Sequence, residues 1–201
     1  MSWGRKEDIH EYDWEFELEM RLLEFTRLPA TLRAERTQIL TTVRETIPLK
    51  YKLGLVVGRF QPIHCGHILL MEQALETCDR IIVGIGSANV INVDNPFPID
   101  KRERRIRQAL AEHGLNPRVA AVVRLNDYYD DGAWLKEVIE KTRRIGDIDV
   151  AIGHNSWVNG ILGSAGFPIL DGELPLLARP IFEGTTIRQT LREEGLLPKT
   201  S

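Results

Sequence analysis

Two histidines three positions apart, His64 and His67, enclose Cys65 and Gly66 in the stretch Gly58-Arg59-Phe60-Gln61-Pro62-Ile63-His64-Cys65-Gly66-His67. Neutral or charged, each imidazole can aim an N–H at an anion. A short apolar run, Leu53 to Val57, comes before the stretch and reads as a buried strand. Ile68-Leu69-Leu70-Met71-Glu72-Gln73-Ala74-Leu75 follows it with helical spacing of its apolar residues. The stretch therefore belongs at a strand-to-helix junction. A helix start presents unpaired backbone N–H groups and the positive end of the helix dipole, which together favour anions. Gly58 and Gly66 let a bulky ligand approach the backbone. The chemistry this points to is polyphosphate binding for nucleotide transfer. Other readings of the histidines are a zinc site and simple capping. Zinc would want third and fourth ligands at suitable spacing, and Cys65 points the wrong way at a helix start. Neither a Walker A pattern nor a Gly-x-Gly-x-x-Gly fingerprint is present.

The elements that must position these groups alternate. Strands are expected at 53–57, 80–85, 119–125 and 149–152, with a fifth near 168–170 or 175–178. Helices are expected at 66–77, 101–112, 133–142 and 186–194. Asp100 with Glu103, and Thr186 with Gln189, read as capping boxes for two of them. Strands separated by helices predict a parallel sheet with right-handed crossovers. Ligands then sit beyond the carboxyl ends of the strands. The histidine junction lies there, and so do the loops opening at Gly86, Asn126 and Gly153.

The pattern His-x-Gly-His resembles the signature of the nucleotidyltransferase superfamily. Its fuller form, Gly-Arg-Phe-Gln-Pro-x-His-x-Gly-His, is similar to that of archaeal-type nicotinamide mononucleotide adenylyltransferases, and the resemblance covers about Leu53 to Pro198. It implies that His64, His67, Arg188 and Arg59 act on the triphosphate. It implies ATP contacts from Gly58, Phe60, Gly66, Gly86, Ser87, Gly153, Asn155, Thr185 and Thr186. Asp127, Asp131 and Trp134 would hold the acceptor, with Trp134 stacking on its nicotinamide ring. The substrates so implied are ATP and nicotinamide mononucleotide, with Mg2+ carried on the triphosphate and few protein ligands to it. Glu183-Gly184-Thr185-Thr186-Ile187-Arg188 resembles the family's second signature, with Glu183 in place of a Ser. Read from its residues alone, it is either a second anion cradle at a helix start or a simple N-cap with a surface Arg. The family's Glu-Arg pair after Pro-Phe is matched with Glu103-Arg104. Other positions depart from the family. The loop Asn89–Asn95 lacks the family's phosphate-facing Arg, Asp131 replaces an Asn, and His154 replaces a small residue.

Residues 1–50 form a helical N-terminal extension in this reading, and 51–201 a nucleotidyltransferase domain. In the extension, Glu7–Glu24 is acidic, with Trp14, Phe16, Leu18, Leu22, Leu23 and Phe25 interleaved. Strand and helix periods compete there, and the abundance of Glu, Leu, Met and Arg favours helix. A second helix is expected over about 31–45, after Pro29 and before Pro48. The extension is either an oligomerisation or regulatory arm, making a homo-oligomer, or a packing cover.

The formal charge of -3 offers no basic field for nucleic acid. No apolar run approaches the ~20 residues of a membrane span, and the N-terminus lacks a signal-peptide core. Cys65 and Cys78 make no disulfide framework, so a reducing cytoplasm is expected. The fold class is α/β, a Rossmann-like parallel sheet with flanking helices plus the N-terminal extension. Adenylyl transfer to nicotinamide mononucleotide is the function implied. Transfer to another phosphorylated acceptor, such as riboflavin phosphate or phosphopantetheine, stays open, as does a non-catalytic nucleotide sensor.

Overall fold

Five apolar runs pair as parallel strands in the computed structural model, which describes residues 7–46, 51–170 and 183–199. The strands are β1 (Tyr51–Gly58), β2 (Cys78–Ile85), β3 (Val119–Arg124), β4 (Val150–Ile152) and β5 (Ile169–Leu170), in spatial order β3-β2-β1-β4-β5. β1 lies between β2 and β4, pairing Leu55 with Ile82 on one side and with Ala151 on the other. A central strand must be apolar on both faces, and residues 53–56 are all buried. The alternative fifth strand at 175–178 lies outside the described residues.

Helices α1 (Glu7–Thr26) and α2 (Ala30–Thr46) come before the sheet. α3 (Cys65–Thr77) joins β1 to β2, and α4 (Ile99–Glu112) joins β2 to β3. α5 (Asp131–Arg143), α6 (Ser156–Ser164) and α7 (Gly184–Glu193) follow in chain order. Two apolar layers form. Ile68, Met71, Ala74, Ile106 and Leu110 pack with one set of strand side chains. Trp134, Val138, Val158 and Leu162 pack with the other. From β1 the chain moves to β2, while from β4 it moves the opposite way to β5. The crevice between β1 and β4 is therefore the switch point at which such sheets bind ligands.

Both helices of the N-terminal segment pack onto the sheet unit. Leu18 and Leu22, one turn apart on α1, join Phe97, Ile187, Leu191, Leu196 and Leu197 in a third apolar cluster. That spacing settles the competing periods in favour of helix. Val43 of α2 is fully buried in the layer that holds α3. Ion pairs reinforce the seam. Arg36 Nε donates to Glu72 Oε2 at 2.8 Å, and Arg105 Nη2 donates to Glu19 Oε1 at 2.6 Å. No described helix is long and apolar enough to cross a membrane.

Three local expectations are corrected. α6 is absent from the expected helices, since Gly160, Gly163 and two serines depress its helix propensity. Burial of Val158 and Leu162 and the cap from Asn155 make it a helix. Neither capping box forms. α4 starts after Pro98, and Asp100 and Glu103 instead bind Arg124, at 2.7 and 2.6 Å. α7 starts at Gly184, two residues early, and Gln189 reaches Glu193 rather than a cap.

Candidate active site

A cavity of about 450 Å³ opens at the carboxyl end of β1. Its lining includes Gly58, Arg59, Phe60, His64, Gly66, His67, Asn155, Thr185 and Arg188, all expected site residues. Gln61, His154, Glu183 and Gly184 also face it. Two helix starts converge there, those of α3 and α7, far apart in sequence.

His64 occupies the N-cap position of α3. Its backbone N–H donates to His67 Nδ1 at 3.3 Å. That bond leaves Nδ1 unprotonated, so neutral His67 carries its proton on Nε2 as a donor. The two rings lie 3.8 Å apart at 31°, and Phe60 backs His67 at 4.7 Å. Burial pushes His64 down to about 4, and its Nδ1 is buried without a partner. Burial, then the adjacent His64 ring, hold His67 well below the usual range. Both rings are therefore neutral at pH 7, and a bound polyanion would favour their charged forms. Cys65, between them, is no nucleophile. Burial raises its thiol to about 11, so little thiolate exists near neutrality.

The second helix start brings charge. Arg188 is 4% exposed. Its Nη1 donates to Gln61 O at 2.7 Å and its Nη2 to Thr185 Oγ1 at 3.2 Å, while Nε is buried without a partner. Burial, then the nearby charge of Arg59, lowers its pKa, though it remains a cation. Gly184 makes the approach possible. A Cβ there would stand 3.1 Å from Gln61 O and 3.3 Å from Arg188 Nη1. Arg59 is exposed and has no ion-pair partner among the described residues.

Gln61 joins the two starts and escaped the sequence reading. Its side chain donates to Phe97 O at 3.0 Å and accepts from Phe97 N at 2.9 Å. Its own carbonyl accepts from Arg188. The other missed residue is Arg102, 2% exposed and aimed at the strand ends from α4. Arg104, matched earlier with the family's Arg, has a side chain 65% exposed that reaches toward Glu19. The buried Arg of this helix near the site is Arg102, not Arg104.

Several expected residues lie off the cavity. Trp134 is 3% exposed and packed in the core beside Trp157, so its ring has no open face for stacking. Its α5 position faces the sheet, which an aromatic fills well. Trp157, 46% exposed, packs against Trp134 with an open face, and its Nε1 donates to Asp131 Oδ1 at 3.1 Å. Asp131 lines a separate groove between α5 and α6. Asp127 is tied to the loop after β2, accepting from Asn89 Nδ2 through its carbonyl at 2.9 Å. Asn155 reaches the cavity, but its side chain is engaged as the α6 cap, accepting from Trp157 N and Val158 N. Gly86 and Ser87 stand at the end of β2, behind the cavity lining. Gly153 O accepts from Asn159 Nδ2. Thr186 is exposed one residue beyond Thr185.

Among the described residues, non-glycine residues with left-handed backbone occur at three places, Phe60 (φ 50), Ser87 (φ 48) and Tyr129 (φ 53). These follow β1, β2 and β3 in turn, at the ligand-binding edge of the sheet. Strain of this kind, roughly 1–3 kcal/mol per residue, gathers at functional sites.

Comparison with known proteins agrees with this geometry. A cytidylyltransferase-like family model matches residues 55–126, from β1 through the start of the loop after β3. A nicotinamide-nucleotide adenylyltransferase of Thermococcus kodakarensis is 32% identical over 154 residues, covering 74% of this chain and 79% of the relative. The enzyme of that name from Methanothrix thermoacetophila is 34% identical over 143 residues, covering 71% and 79%. Among solved structures, a bifunctional NMN adenylyltransferase/ADP ribose pyrophosphatase from Francisella tularensis superposes with a TM-score of 0.63 at 25% identity. This chain spans 43% of that protein, and the match covers 72% of this chain. A second structure of that enzyme, complexed with AMP and a Mn ion, gives a TM-score of 0.59 at 26% identity. With the signature stretch at the end of β1 and the length of these matches taken together, the chain belongs to the nicotinamide-nucleotide adenylyltransferase family.

Proposed function

We propose that the protein transfers the adenylyl group of ATP to nicotinamide mononucleotide, forming NAD and pyrophosphate. One observation carries the reading: two helix starts, one with paired imidazoles and one with a buried Arg, open into a single cavity at the switch point of the sheet.

The nucleophile is a phosphate oxygen of the acceptor, already ionised near neutrality. It forms a bond to the α-phosphorus while the bond from that phosphorus to the bridging oxygen breaks. Pyrophosphate departs with the electron pair. No protein base is needed, so the chain contributes position and charge stabilisation. His67 Nε2–H is the donor assigned to the charge that develops at the α-phosphate, with His64 beside it. Arg188 and Arg59 hold the β- and γ-phosphates. Gly58, Gly66, Thr185 and the free N–H groups of the two helix starts complete the cradle.

Among the described residues no three His, Cys, Asp or Glu side chains gather to hold a metal. A divalent ion, Mg2+ in this reading, fits as a rider on the triphosphate, which such ions bind with few protein ligands. Glu183 is the carboxylate among the described cavity residues that can face it. When bound, the ion neutralises part of the charge on the leaving pyrophosphate.

Acceptor identity rests less on the cavity than on family membership, because Trp134 is closed and Asp131 lies off to one side. The test is pyrophosphate release and dinucleotide formation from ATP and Mg2+ with nicotinamide mononucleotide, nicotinate mononucleotide, riboflavin phosphate and phosphopantetheine in parallel. Fastest turnover with nicotinamide mononucleotide is the expected result. Faster turnover with either of the last two would replace the acceptor. ATP binding without turnover on any of the four would favour a sensor.

A further inference from the structure

Arg102 is buried, cationic and has no carboxylate partner among the described residues. Its Nη1 donates to Arg59 O and to Gly86 O, both at 2.8 Å, and its Nη2 donates to Ser87 O at 3.0 Å. The three carbonyls belong to the exits of β1 and β2. Each exit carries a left-handed residue, Phe60 immediately after Arg59, and Ser87 itself. The exits also bond to each other, Gly86 N to Gly58 O at 2.9 Å. Arg102 does not line the cavity and stands behind its wall.

An interior guanidinium answered only by carbonyl dipoles is an expensive way to fill space. The neighbouring interior Arg on the same helix, Arg105, shows the ordinary solution, a two-bond pair with Glu19. Burial, then the charge of Arg59, lowers Arg102 to about 10, so it stays protonated at neutral pH. Arg59, Arg102 and Arg188 thus gather positive charge at one edge of the sheet. Glu183 in the cavity lining and Asp94 near Arg188 answer part of that charge, and a bound triphosphate would answer the rest.

We propose that Arg102 is a positioning residue for polyphosphate binding, one that holds the exits of β1 and β2 in their left-handed form so that Arg59 is presented to the cavity. The proposal rests on the nucleotide-transfer reading for its ligand. Its geometry uses only the bonds from α4 to the two exits.

The test compares Arg102→Lys, Arg102→Met and Arg105→Lys with the wild type. ATP affinity is measured by calorimetry and folding by circular dichroism, at a temperature where each variant is folded. A lysine keeps the charge but puts its donors on one atom of a shorter side chain, so it cannot bridge both exits as the fork does. Arg102→Lys should weaken ATP binding by about 10–150-fold, the range of hydrogen bonds to charged groups. Arg105→Lys should lower the melting temperature with ATP affinity kept within about twofold. In an Arg59→Ala background, adding Arg102→Lys should weaken ATP binding by no more than about threefold further, because the two act as one unit. A folded Arg102→Lys protein with wild-type ATP affinity would overturn the proposal. So would losses that multiply in full in the double variant. Should Arg102→Met fail to fold, Arg102→Lys decides. If the wild type binds ATP but makes no dinucleotide from nicotinamide mononucleotide, the acceptor reading falls while the affinity series still judges Arg102. A wild type that binds no ATP would sink both.

Discussion

The two helix starts at the cavity solve the same problem with opposite means. The α3 start offers two imidazoles that are neutral near pH 7, stacked and locked by a backbone bond. The α7 start offers a permanent cation, buried and held by Gln61 O and Thr185. A neutral donor gains most where charge grows, so the α3 start suits the transition state. A fixed cation meets charge already present in ATP, so the α7 start suits the ground state. Substitutions at the two starts should therefore separate into rate effects and affinity effects.

Removing the His67 imidazole should do the most. His67→Ala is expected to lower kcat by roughly 10²–10³-fold, the usual loss for a donor aimed at developing charge. ATP affinity should change far less. Equal losses in kcat and affinity would erase the contrast.

Acid should come next, through stability rather than turnover. His64 titrates at about 4 when folded, against 6.5 for an unperturbed histidine. The unfolded chain binds the proton first as pH falls. Stability is thus complete above pH 6.5 and declines down to pH 4, by about 3 kcal/mol at most from this group. His67, also held low by burial, adds to the decline in the same direction. Denaturant melts across that range should show the decline, and His64→Gln should reduce it. A bound polyanion should oppose it by favouring the charged rings, so pyrophosphate ought to protect most at low pH. A melt that ignores pH between 4 and 6.5 would mean that the imidazoles are hydrated.

Arg188→Ala should weaken ATP binding by about 10–150-fold, the range of hydrogen bonds to charged groups. With ATP saturating, kcat should move less than in His67→Ala. Unchanged affinity would remove the α7 start from the triphosphate. Smallest of all, Asp131→Asn should leave ATP affinity within about twofold, since Asp131 lines the α5–α6 groove instead. A larger effect would join that groove to the cavity.

Legibility differed between the two kinds of evidence in the chain. The α3 start could be read directly, because strand, turn, cap and helix lie in one short stretch and each is locally encoded. The sheet followed from alternation of apolar runs. Side-chain exposure was harder, since it is decided by distant segments. Trp134, which the resemblance casts as a stacking ring and which alone reads as core, is closed by the sheet. Asp100 and Glu103 read as a cap and are captured by Arg124 at the end of β3. Arg102 hid because an Arg on a charged helix reads as surface. Its signal was periodic. The buried stripe Ile106, Ala109, Leu110 runs back by the same spacing to Arg105 and Arg102, and all five are buried.

The docking of α1 on α7 has a consequence for synthesis. Leu18 and Leu22 emerge from the ribosome early, whereas Ile187 and Leu191, which cover them, emerge late. Some 165 residues separate Leu22 from Ile187 (187 − 22). At about 5–20 residues per second the wait is roughly 8–33 s. For that interval the stripe on α1 has Phe97 but not α7 to pack against, and is partly open to holding factors or to self-association. The part of its docking that uses α7 must therefore follow the emergence of that helix, however early the turns of α1 form.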